Sequence, residues 1–320
     1  MKRSLIGFIM VALLLSACGD ESFSLPDENG SYAFVSHLKE PSLAVLDLTN
    51  DQIEKMEPLE SAWSAQIAYG DNQIAALSDD GKEVVNLNLT NGEINTIARL
   101  DSHAKAIVYV SEQQAFAVAL EDKNEVQLID EQSGQVLTSI PFAGQLSEMI
   151  VADEGRLFVL STEEERVYHL NVDKGVVENS FSVSGRPAGM FYDGELLWIG
   201  GHGKSGELNH MIYGYDGETG LLEQTIDVGL MPIAMTGGQD DSFFVLCHGD
   251  HQLYKIKEAE VVGTVEVGQN PNYVYAHHDQ LLVSNFDSDT VTIVNKDPFT
   301  VAGEVAVGSG PHAIATGEIK

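Results

Sequence analysis

Val267 to Asn295 reads VGQNPNYVYAHHDQLLVSNFDSDTVTIVN. It holds three short runs rich in Val, Tyr, Leu, Ile and Thr, separated by clusters of Asn, Asp, Gly and Ser. Such runs are β-strands and such clusters are turns. The same order recurs along the chain: an apolar strand, a polar turn, then an alternating strand that ends near Asp or Asn. Its marker, the apolar residue just before that Asp or Asn or its equivalent, falls at Leu46, Leu87, Ile129, Leu170, Tyr215, Ile256 and Val294, in steps of 41, 42, 41, 45, 41 and 38 residues. The strand before each marker recurs in step, as AFV at 33–35, AFAV at 115–118, LFVL at 157–160, LLWI at 196–199, FFVL at 243–246 and LLV at 281–283. A period near 40 residues with several strands per unit is that of a propeller, in which radially packed sheets cover one another's faces and leave only short edges.

The fold class expected is therefore all-β, a seven-bladed β-propeller spanning residues 31–320. Its closure is legible at the two ends. Residues 307–317 open a repeat with a glycine turn, Pro311 and an inner strand, and no further strand follows. The first unit opens at Ser31 with the second-strand pattern and no inner strand before it. The C-terminal strand is thus expected to pair with the N-terminal blade, residues 311–317 against 32–37. Pro187, Pro232, Pro271 and Pro311 are placed at the first residue of inner strands, where no ladder donor is yet needed, and Pro141 on an outer edge. The longest step, into unit five, marks an insertion around GGHGKSGELNH at 200–210.

The segment Val267–Asn295, with Val307-Gly308-Ser309-Gly310-Pro311 and Val228-Gly229-Leu230-Met231-Pro232, resembles the YVTN-type β-propeller repeat. The resemblance is carried by units four to seven and is topological in the first three. It implies a seven-bladed propeller and no particular activity, because this architecture hosts binders, scaffolds and unrelated enzymes.

The N-terminus has a separate organisation. Lys2 and Arg3 precede a short apolar run, Leu5 to Leu15, and the sequence Leu15-Ser16-Ala17-Cys18 follows. The run is too short to cross a bilayer, and a charged start, a short apolar core and small residues at the cut mark a secretory signal. The last four residues resemble the bacterial lipobox, whose cysteine receives the lipid. Residues 1–17 are accordingly read as a lipoprotein signal peptide, Cys18 as the lipidated residue, and 18–30 as a flexible tether. An exported protein held to a membrane by lipid and facing the extracytoplasmic side is expected. An ordinary secretory signal is the alternative.

The chain carries 49 acidic against 17 basic residues, a net charge of -32. Such a surface repels nucleic acid and anionic headgroups, so neither is an expected partner. With Cys18 lipidated, Cys247 has no disulfide partner, and stability must rest on the core. Several motif lookalikes fail. Gly203-Lys204-Ser205 lacks the preceding phosphate-loop glycine, Asn285, Asp287 and Asp289 lack the calcium-loop glutamate, and no HExxH or GxSxG is present.

Candidate functional residues gather on one face, where loops before the inner strands and between second and third strands open. Of ten histidines, His37, His103, His202, His210, His248 and His251 map there. His202, His248 and His251, with Cys247 or Asp250, have the donor chemistry of a transition-metal site; solvated loop histidines are the alternative, and no cofactor is otherwise expected. Around the axis, Trp63, His103, Leu146, Arg186, Met231, Asn270 and Gly310 stand just before the inner strands. Ala65, Lys105, Glu148, Ala188, Ile233, Asn272 and His312 lie one step inside. Trp63, His103, Lys105, Glu148, Arg186, Met231, Asn270 and His312 form the candidate channel-mouth site, either a pocket for a small anionic or polar ligand or a water-filled channel with internally paired charges. The function read from this is non-catalytic binding of a protein, glycan or small ligand through the loop face by a monomer. The alternative is a lactonase-type hydrolase with His103 or His312 as base and Arg186 as oxyanion partner. Cys18→Ser is expected to move the mature protein from the membrane fraction to the soluble fraction; retention of that variant on membranes in high salt would refute the lipid anchor.

Overall fold

The computed structural model describes residues 21–320 apart from Glu154, Ser205, Gln239 and Asp240. The signal and Cys18 lie outside the described residues. Helix among the described residues is limited to one 3-10 turn, Ser111–Gln113. No helix there is long and apolar enough to cross a membrane. The strands pair as seven antiparallel blades, each of four radial strands. Blade 2 shows the pattern, with inner strand Trp63–Tyr69, then Gln73–Ser78, Glu83–Asn88 and the outer strand Glu93–Arg99.

The second strand of a blade explains the ring. Successive side chains of a strand point to opposite faces. In Gln73–Ser78, Ile74 and Ala76 join the apolar cluster shared with blade 1, while Ala75 and Leu77 join the one shared with blade 3. In the first blade's Gly30–His37, Phe34 faces blade 2 while Ala33 and Val35 face blade 7. Both faces are buried, so these strands read as unbroken apolar runs instead of alternating ones. The core is consequently divided into seven clusters, one at each seam between neighbouring blades. Phe34, Phe116, Phe158 and Phe244 are the largest side chains wholly removed from solvent. Truncating one to Ala removes about 3–5 kcal/mol of stabilisation.

The ring closes as the sequence implies. Pro311–Ile319 is the innermost strand of blade 1 and pairs with Gly30–His37, from Gly30 opposite Ile319 to His37 opposite Pro311. Pro187, Pro232 and Pro271 also open their inner strands, and Pro141 ends the outer strand Val136–Pro141. The insertion in blade 5 is a small hairpin, Gly203–Lys204 paired with Glu207–Leu208. All seven outer strands carry a β-bulge, six of them near their start, for example at Leu137 between Leu128 and Ile129 of the partner strand, and blade 2 at Ile97 toward its end. A bulged edge is a poor template for pairing with another chain.

The expected flexible tether is corrected from residue 21 onward. Glu21–Ser22 adds a short fifth strand to the outer edge of blade 2, opposite Ile94 and Glu93. Phe23 follows it into the seam between blades 1 and 2, 5% exposed and 6.2 Å from the Phe34 ring. The Lys55 ammonium donates to the carbonyls of Ser24 and Leu25. Phe23 and Leu25 alternate with polar residues, and a sheet edge stood open to receive them. Deleting residues 309–320 removes an interior strand from blade 1 and opens two seams. The truncated protein is expected to lose cooperative unfolding or to precipitate. A wild-type melting curve would show that the ring closes elsewhere.

Candidate ligand site in the axial channel

Inner strands of seven blades cannot meet on the axis, and the space they leave is a channel of about 540 Å³. A recurring backbone device decides what lines its mouth. In six blades the inner strand has a β-bulge near its start, just after its first residue in five of them and one residue later in blade 5. The extra residues are Ser64, Lys105, Gly189, Ile233 and Asn272, with His312 and Ala313 sharing one partner in blade 1. A bulge re-aims a side chain without breaking the sheet. Ser64, Lys105, Ile233, Asn272 and His312 all line the channel. In blade 4 the irregularity lies at the far end of the inner strand, and Ser147 and Glu148 reach the channel by regular pairing.

Glu148 is the chemical centre of this lining. Its Oε2 accepts the amide N–H of Gly189 at 2.9 Å and its Oε1 that of Met190 at 3.0 Å, both from blade 5. Gly189 is required there. It has φ +68, and a Cβ would lie 2.6 Å from the carbonyl of Ile233 in blade 6. Glu148 is half-buried between the blades, and desolvation there pushes its carboxyl up to about 7 against the opposing pull of the two amides. No cation among the described residues forms an ion pair with it. Lys105 lines the same channel but points its ammonium at Glu121, 3.4 Å away. His312 takes the Asn272 amide on Nδ1 at 3.1 Å, and burial lowers its pKa against a backbone hydrogen bond with Ser64. Gln66 uses its Nε2 on the carbonyls of Phe34 and Ala313, at 2.5 and 2.7 Å, and its Oε1 has no donor. Asn272 Oδ1 is likewise without one. Burial is also the main cause that raises the Tyr273 hydroxyl pKa, with Tyr275 and Glu148 adding to it.

The two candidate rings fare differently. Of the residues one step inside, all but Ala188 line the channel, and Lys105, Glu148 and His312 are where they were expected. The ring just before the strands does not converge. Trp63 is the first residue of its strand and packs in the seam between blades 1 and 2, 3% exposed. His103 sits beside Glu121, Nδ1 to Oε2 3.3 Å, without the alignment of a hydrogen bond. Arg186, Met231, Asn270 and Gly310 all take left-handed φ, from 49° to 68°, as turn residues before the proline. Arg186 is exposed at the rim, and Asn270 donates to Asp287 Oδ2 at 2.9 Å. The anion pocket and the hydrolase arrangement both placed Arg186 on the axis and are corrected accordingly. Missed in sequence were Ser64, Gln66, Met190, Met235, Thr236, Tyr273 and Tyr275, which the bulges and the close ring place on the lining. Tyr273 and Tyr275, two aromatics within one inner strand, were the available signal.

The histidine trio is also corrected. His202 and His248 are neighbours, with ring centroids 6.4 Å apart. Burial first, then the charges of Arg186 and His248, lower the His202 pKa. His251, at φ 59, occupies the hairpin turn after His248. No group of three or more His, Cys, Asp or Glu among the described residues comes close enough to hold a metal ion. A hollow of about 640 Å³ between blades 5 and 6 opens at the other end, over Trp198 and Phe243. Those rings are only 2% and 5% exposed, so its floor offers little surface.

A family model described as outer membrane protein assembly factor BamB matches residues 39–200. No curated protein matches the chain in sequence. Among solved structures, apo AztD from Citrobacter koseri superposes with a TM-score of 0.63 at 11% identity, covering 92% of this chain and 99% of that one. A protein from Desulfotomaculum acetoxidans reaches a TM-score of 0.73 at 12% identity, covering 90% and 99%. The dihydro-heme d1 dehydrogenase NirN in complex with DHE reaches 0.62 at 14%, covering 91% and 76%. These likenesses are of fold.

Glu148 makes a pH prediction. Its native pKa near 7 exceeds the ordinary value of 4.5, so the native state holds the proton more tightly than the unfolded chain. Stability from this group is complete below pH 4.5 and is lost as pH rises to 7. The unfolding free energy of wild type minus that of Glu148→Gln is expected to fall by about 2–3 kcal/mol across that window and to level off above it. A difference that is flat with pH would show an ordinary, solvated carboxyl.

Proposed function

We infer that this chain, which belongs to the family described as outer membrane protein assembly factor BamB, is a non-catalytic binding protein of the extracytoplasmic space that admits a small ligand to its axial channel from the loop face. The observation that carries the reading is the bulge-built lining. Five blades turn the residue after the strand's first out of register, and all five of those residues line the channel. A volume of about 540 Å³ falls within the range of small-molecule sites. The walls combine the half-buried apolar Ile233 and Met235 with a few polar groups, the usual composition of such sites. Location rests on the N-terminal signal and on the family's description as an outer membrane assembly factor. In this reading Cys18 holds the propeller to a membrane as a monomer, and residues 21–25 join that anchor to the outer edge of blade 2.

The test uses the channel's own methionines. Met149, Met190 and Met235 line the cavity, whereas Met56 lies 44% exposed on an outer strand. With methyl-labelled methionine, a small-molecule library that contains a ligand is expected to shift the three channel resonances and leave Met56 unmoved. Ile233→Trp, which fills the mouth, is expected to abolish those shifts while preserving the fold. Ligands that move only Met56, or that bind the Trp variant unchanged, would remove the channel as the binding site.

A further inference from the structure

We propose that the ligand of the axial channel is a small organic cation, a primary ammonium on a short aliphatic body, with the Glu148 carboxylate as its counter-ion. The inference rests on the reading of the channel as a binding site and concerns the charge and chemistry of what enters.

The amide donors on the lining are engaged, whereas the Tyr273 and Thr236 hydroxyls can donate or accept. The Gln66 amide hydrogens are engaged by Phe34 and Ala313, and those of Gly189 and Met190 by Glu148. Asn272 donates to His312. The Lys105 ammonium is turned to Glu121. Acceptors remain. An ionised carboxylate has about four lone-pair positions, of which the two amides take two at Glu148. Gln66 Oε1 and Asn272 Oδ1 also have no donor, but both atoms are sealed beneath the lining, which leaves Glu148 as the acceptor that counts. A ligand that brings a donor is complementary to the free lone pairs of Glu148.

Charge points the same way. A carboxylate partly withdrawn from water gains from a cation placed opposite it. Glu148 has none, although Lys105 and His312 line the same channel and Tyr273 is near enough to respond to its charge. A ligand ammonium would supply the missing partner. The net charge of -32 raises the local concentration of cations at a cleft of the same sign and lowers that of anions. Ile233 and Met235, half-buried on the lining, form a wall suited to an alkyl body, and Tyr273 and Tyr275 line the same channel.

The experiment compares three probes of one size and different charge, n-butylammonium, n-butanol and n-butyrate, by thermal unfolding at pH 8. At about tenfold excess over its dissociation constant the ammonium is expected to raise Tm by about 3 °C, and the alcohol and butyrate to leave it unchanged. The ammonium shift is expected to shrink at least tenfold in apparent affinity from pH 8 to pH 5 as Glu148 takes up its proton, and to be absent in Glu148→Gln with a native circular-dichroism spectrum. Where that variant does not fold, the wild-type pH series decides. An ammonium effect equal to that of butyrate, independent of pH, or intact in Glu148→Gln would overturn the cation assignment. Binding of butyrate or butanol alone at the channel methionines would overturn it too and leave the small-ligand reading standing. Silence of all three probes overturns it as well, and the channel reading falls with it only if the methionine methyls also stay unmoved by the whole library.

Discussion

The whole structure depends on the second strand of each blade being apolar on both faces. A sheet that is apolar on one face needs one partner. A sheet that is apolar on both needs two, and a linear stack would leave its two end blades uncovered. Bending the stack into a ring gives every blade two neighbours, and seven seams then share the core evenly. The last strand of the chain completes the first blade for this reason, since Ile314 and Ala315 are buried only where Ala33, Val35 and Phe34 already stand. Among the described residues the only cysteine, Cys247, is free and is one more apolar contact in the seam between blades 5 and 6.

Bulges at the two ends of the radial strand order do opposite things. On the seven outer strands they spoil an edge that would otherwise offer free N–H and C=O groups to another chain. On the inner strands they turn side chains such as Asn272 and His312 toward the axis, where the ring is narrowest and chains from all blades come together. Gly189 links the two scales. Its left-handed backbone makes the bulge, its missing Cβ lets blade 6 approach, and its amide holds Glu148 of blade 4.

Electrostatically the molecule is simple outside and unusual within. Most of the 49 acidic side chains are solvated, and surface pairs such as Lys174 with Glu178 contribute little. Glu148 differs in lining the channel, where it gives up part of its hydration for two amides and has no ion-pair partner among the described residues. Groups in that condition gather at sites where chemistry or recognition occurs.

The sequence by itself determined the propeller, its seven units, its point of closure and the inward ring of Lys105, Glu148, Asn272 and His312. These follow from local signals: a 40-residue period, prolines at strand starts where no ladder donor is needed, and counting from those prolines. Tertiary structure decided the rest, because it depends on approach between residues far apart in the chain. Arg186, Met231 and Asn270 carry no local mark that a left-handed turn removes them from the axis. Nothing near Gln66 announces that its amide is tied to Phe34 and Ala313, and nothing near Phe23 announces the open edge of blade 2. His202, His248 and His251 share one face in the sequence reading, but whether they meet is set by how two blades are spaced, and they do not. That Glu148 has no cationic partner is likewise a fact about every other charge in the fold, and only the folded ring could state it.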